Sequence, residues 1–213
     1  MRVFTIMYKF LWRQSFLVVG TLIIVSIPLT VYTTGVPDIF KVTFLVELVI
    51  PLLVGLTTAH LVLIDRELDT AEIVYTTSIS RLWLLISRAG TMLCINLILG
   101  LLLIMVLWII YPQFNIINMW TTFVAPLVFL SAISLTTANI TRNISVGYIF
   151  PLILVTSELY LRDIIPKNIY LFYKLFALAP DGFLLNRLCL IAIGIALFAL
   201  NWLILEKTRW VIL

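Results

Sequence analysis

Of the 213 residues, 63% are hydrophobic and only 11% are charged, and the mean hydropathy is +1.18. A soluble domain carries roughly 25% charged residues, so this chain lacks the polar surface to fold in water, and a bilayer is its solvent. That excludes a sizeable soluble domain. The net charge of +4 is small, so where the charges fall carries more information than their sum. Cys94 and Cys189 both lie inside apolar runs, which argues against a disulfide framework or a cysteine metal site.

A span needs about 20 apolar residues, and the chain holds room for six. Residues 1–15 are not a span. At about 100° per residue Arg2, Lys9 and Arg13 fall on one stripe and Phe4, Met7 and Leu11 on the opposite one, the pattern of a basic amphipathic helix lying on anionic lipid. No small-residue cleavage site follows the first apolar run, so no cleaved signal is expected. The predicted spans are 16–34, 42–64, 82–111, 119–140, 144–161 and 187–205. A Gly-Val-Pro-Asp turn at 35–38 separates the first two, and a tight polar link at 139–143 separates the fourth and fifth. Residues 162–186 are too apolar for a free loop and too charged for a span. They predict two short helices broken near Pro166, dipping into the outer leaflet or capping the bundle, or else an irregular ordered loop.

Orientation follows from the basic residues. With the N-terminus inside, nine of the 14 lysines and arginines face the cytoplasm and five face outward. Both termini are therefore expected in the cytoplasm. On that inner side lies the one long polar interruption, residues 65–88. It opens on four acids, Asp65, Glu67, Asp69 and Glu72, and closes on Arg81 and Arg88, which suits the macrodipole of a short helix. Asp69, Glu72 and Thr76 share one face, so this helix can lie on a membrane surface or against a soluble partner.

No phosphate-binding loop, GxSxG or HExxH occurs, and there is one histidine. No enzyme, metal or cofactor of its own is expected, and no nucleic-acid partner. Glu47 is the most costly residue to insert, since a centrally placed acid costs roughly 2.5–3.5 kcal/mol. Pro51 follows it by four and cannot donate to the Glu47 carbonyl. Together they make one polar spot: a pathway or subunit-interface position, or a glutamate reaching up to headgroups. Pro28, Pro126 and Pro151 also fall within spans and permit kinks. His60 reads as an interfacial histidine. The sequons at Asn139 and Asn143 fall in the inner link and are discounted.

The order of parts resembles the permease subunit of type-2 ABC exporters: a basic interfacial helix, six spans, an acidic-then-basic helix between spans two and three, and an outer helical hairpin before the last span. Members often carry R-E-x-G-T-x-E-x-L-x-x-x-P-[IV]-S-R between spans two and three. Arg66-Glu67-Leu68-Asp69-Thr70-Ala71-Glu72-Ile73-Val74 and Ser78-Ile79-Ser80-Arg81 are similar to it in register, with Asp69 in place of the glycine and Ser78 in place of the proline. The resemblance implies a coupling helix at 65–81, with Glu67, Asp69, Thr70, Glu72 and Arg81 at the contact with a separate ATP-binding subunit. It also implies ATP and Mg held on that subunit, a second permease subunit, and a place in the bacterial plasma membrane. The cargo would be amphipathic or hydrophobic: a peptide, antibiotic or lipid. A membrane interaction or immunity protein that transports nothing is the rival expectation.

Overall fold

A computed structural model describes residues 39–60, 81–110, 112, 115–161, 164–175 and 182–207. These residues are helical and turn, with no strand among them. The interfacial helix at 1–15, the span at 16–34 and most of the acidic run at 61–80 lie outside the described residues.

Among the described residues five helices are long and apolar enough to cross a membrane, as expected of a multi-pass membrane protein. The first, α1, is composite: α-helix at Ile39–Phe44, a π turn at Leu45–Val49, α-helix again at Ile50–Leu56 and a 3₁₀ turn at Thr57–His60. Pro51 accounts for the wide turn. Its ring has no N–H and crowds the carbonyl four residues back, and the ladder relaxes so that the Ile50 N–H bonds the Leu45 carbonyl, five back. At the tightened C-terminal turn the Thr57 and Thr58 hydroxyls donate to the Val54 and Gly55 carbonyls at 2.7 Å each.

Helix α2 spans Arg81–Ile110. Its 30 residues reach about 45 Å, and its apolar stretch begins only at Ala89. Helix α3, Ile116–Thr141, starts where the Asn115 side chain accepts the Ile117 N–H at 2.9 Å. It stops at Arg142, whose φ of 52° is left-handed. One residue later Asn143 accepts the Ser145 N–H at 2.9 Å and opens α4, Ile144–Leu161. The last helix, α5, is Phe183–Lys207.

Helix α3 is the axis of the bundle and packs against all four others. Its sequence explains why. Ser131, Ala132, Ser134 and Ala138 form a buried small-residue seam that lets neighbouring backbones approach, the usual means of helix association where lipid competes for apolar contact. Gly147 of α4 sits so close that a methyl group there would lie 2.8 Å from Ala138 Cβ and 2.9 Å from Ala59 Cβ. Phe123, Leu127 and Leu130 fill the centre. Helices α2, α4 and α5 turn Ile98, Leu102, Ile149, Ile153 and Ile195 outward, as a lipid-facing surface requires.

The segment before α5 is described only in part, at 164–175 and 182. Among the described residues of 162–186 there is no pair of short helices. One 3₁₀ turn, Lys167–Ile169, follows Pro166, and an irregular turn runs from Leu171 to Leu175. Tyr170 to Tyr173 and Leu175 are buried there, while Ile164 is exposed.

Candidate functional site

Tyr170, Leu171, Phe172, Tyr173 and Leu175 are buried, so this loop is tucked into the end of the bundle. Burial keeps water from its backbone, and each buried N–H or C=O left unsatisfied costs about 1–3 kcal/mol. The spans supply the partners. Glu158 of α4 accepts the Leu171 and Phe172 N–H groups, both at 3.0 Å. Glu47 of α1 accepts the Lys174 N–H at 3.0 Å and the Leu175 N–H at 2.8 Å. Each carboxylate thus grips two successive amides from opposite ends of the loop.

Helix α5 closes the clasp. Arg187 pairs with Glu47 through Nη2 and donates from Nη1 to the Leu171 carbonyl at 3.2 Å. Its neighbour Asn186 donates to the Lys167 and Tyr170 carbonyls at 3.1 and 2.9 Å. Glu47, Glu158, Asn186 and Arg187 are all buried. The Phe183 ring lies under both cations, with its centroid 4.8 Å from the Arg187 guanidinium carbon and 4.4 Å from Lys174 Nζ. Lys174 Nζ also donates to the Asn118 side-chain oxygen and, at 3.4 Å, to its carbonyl. Lys174 is on the loop, outside the spans. Burial pushes its ammonium down to about 8, the Arg187 charge adds to that, and Glu47 opposes it.

A second polar layer ties the helices together toward the opposite end. Asn96 of α2 donates to the Val54 carbonyl at 3.1 Å, and Ser134 of α3 donates to the Gly147 carbonyl at 2.9 Å. Asn201 of α5 donates to Thr136 at 2.7 Å and accepts from Asn139 at 2.8 Å.

The structure places the predicted residues unevenly. Glu47 is buried and bound within the chain rather than turned to headgroups, with Pro51 one turn below it shaping the π turn that carries it. Arg81 opens α2, its side chain outside the described residues. Glu67, Asp69, Thr70 and Glu72 lie outside them altogether. Sequence reasoning missed Glu158, Asn186 and Arg187 as site residues and treated Lys174 only as an outer base. A signal for Arg187 existed. It stands at the outer end of the sixth span, at the depth where an acid one or two turns into the second span needs a partner.

The carboxylate oxygens of the clasp are engaged by backbone amides and the guanidinium. Comparison with protein-family models, with curated proteins and with solved structures returns no match to this chain.

Proposed function

We propose that this chain is the membrane-spanning permease subunit of an ABC exporter. It would work beside a second permease subunit, identical or related, and be driven by a separate ATP-binding subunit that holds ATP and Mg. The observation that carries the reading is the run from Arg66 to Arg81, similar to the coupling-helix pattern of such permeases, set between α1 and α2. The described part of α1 reaches His60 and that of α2 starts at Arg81, so the run is set between two apolar helices. Ala59 packs beside Gly147, near the start of α4, at the end of the bundle away from the clasp. A short rigid helix there turns a push from a soluble motor into a tilt of both spans.

In this reading Glu67, Asp69, Thr70, Glu72 and Arg81 meet the ATPase. Glu47 and Pro51 act on the pathway indirectly, by holding the loop over its outer end. The apolar interior suits amphipathic or hydrophobic cargo, such as a peptide, antibiotic or lipid, exported across a bacterial plasma membrane with both termini inside.

The test is purification of the tagged chain from native membrane with identification of its companions. An ATP-binding subunit co-purifies, and Glu72→Arg removes it while leaving the chain in the membrane. Full biological function in a strain lacking every candidate ATPase would sink the exporter and favour the interaction protein.

A further inference from the structure

A cleft of about 130 Å³ opens between the N-terminal ends of α1 and α3, close in size to a cavity of about 150 Å³ that holds a benzene ring. Its depth is apolar, formed by Val42, Val46 and Met119, all buried. Its mouth is polar, formed by the exposed Asn115 and Asn118, with Lys174 beside them. An apolar slot with a few convergent polar groups is the usual form of a small-molecule site.

The charge of the mouth says which molecule fits. Among the described residues every contact of the Lys174 ammonium is neutral: the Asn118 carbonyl, its amide oxygen and the Phe183 ring face. Among the described residues the carboxylate acting on it is Glu47, which is already engaged by Arg187 and by the Lys174 and Leu175 amides. Glu158 faces the other limb of the loop. A half-buried cation is thus held at the rim of an apolar slot without an anion of its own among the described residues. Burial and the Arg187 charge together weaken its hold on the proton, and an incoming anion would relieve both.

We propose that this cleft binds one anionic phospholipid from the surrounding bilayer, its phosphate on Lys174 Nζ beside the Asn115 and Asn118 amides, and its first acyl methylenes against Val42, Val46 and Met119. The proposal does not depend on the exporter reading, because it needs neither an ATPase nor a cargo.

The full chain in phosphatidylcholine nanodiscs is doped with phosphatidylglycerol carrying a photoreactive diazirine high on one acyl chain, or with the matching phosphatidylcholine. Peptide mapping after illumination finds the label. The phosphatidylglycerol probe marks the peptides holding Val42 and Met119 about fivefold more than the choline probe, the gain one basic residue near a membrane surface supplies. Lys174→Gln lowers it to the choline level and Lys174→Arg restores it. Thr43→Phe fills the slot and removes the label with Lys174 in place. Equal labelling by both probes, labelling indifferent to Lys174→Gln, or label that persists in Thr43→Phe each overturns the proposal. Displacement of the label by millimolar glycerol phosphate overturns it too, and assigns the site to a soluble anion.

Discussion

At the scale of single residues, Glu47 has two duties that substitution can separate. It neutralises Arg187, and it satisfies two backbone amides of the buried loop. Glu47→Ala leaves a buried guanidinium unpaired, and breaking one partner of a buried pair costs about 3–5 kcal/mol. Thermal unfolding in detergent will show that loss. The double replacement Glu47→Met with Arg187→Met removes the stranded charge, and swapping a buried pair for apolar groups is often neutral. Here it recovers only part of the loss, because the Lys174 and Leu175 amides stay orphaned at roughly 1–3 kcal/mol each. Full recovery would mean the carboxylate serves the ion pair alone. Lys174 adds a dependence on pH. Its proton leaves near pH 8 in the folded chain, against an ordinary value of 10.5. Between those values the unfolded state binds more protons, so the Lys174 contribution to stability rises with pH. Among the described residues Arg187 of α5 and Glu47 of α1 are the charges acting on it, and Asn118 of α3 is its polar contact. The parent gains stability relative to Lys174→Gln from pH 8 to 10.5 in phosphatidylcholine nanodiscs. A constant difference across that window would show that the ammonium is not strained.

At the scale of elements, the helices were far more legible than their partners. Span length and hydropathy are local properties. The predicted 144–161 coincides with α4, and 119–140 falls within α3. Partnership is not local: Glu47 and Arg187 stand 140 positions apart, and one sequence holds no sign that they meet beyond their similar depth. The sequence left the loop open between two readings for a related reason. Tyr170, Leu171, Phe172, Tyr173 and Leu175 carry apolar bulk that reads as helix, but the two glutamates offer its amides an alternative to helical bonding. The π turn was half visible, since Pro51 announces a lost hydrogen bond, and its consequence lay in which way Glu47 then faced. Helix spacing gives its own test at Gly147, where a methyl group would meet Ala138, Ala59 and the Ser134 carbonyl within 3 Å. Those atoms belong to two other helices, one of them through backbone, so little can yield. Gly147→Ala lowers stability by about 1–3 kcal/mol, whereas Gly90→Ala, with open space around it, does not. Equal effects at the two positions would mean that helix propensity, not close packing, sets the preference for glycine.

At the scale of the whole molecule, the clasp and the charge distribution make one statement about direction. The loop rests on the N-terminal ends of α1, α3 and α5, where Glu47, Asn118 and Arg187 reach it. The tight Arg142 link joins α3 to α4 at the other end. The sequence expectation puts nine of the 14 basic residues inside and five outside, and under the positive-inside rule that arrangement would turn the clasp outward. Lys167, in the turn beside the clasp, and Arg142, in the link, are both exposed and mark the two faces. With Cys94 and Cys189 replaced by alanine, Lys167→Cys in intact cells reacts with a membrane-impermeant maleimide, and Arg142→Cys reacts only after the membrane is opened. The reverse pattern would put the clasp in the cytoplasm. The acidic run at 65–81 would then stand outside, beyond the reach of any cytoplasmic ATPase, and the exporter reading would fall with it.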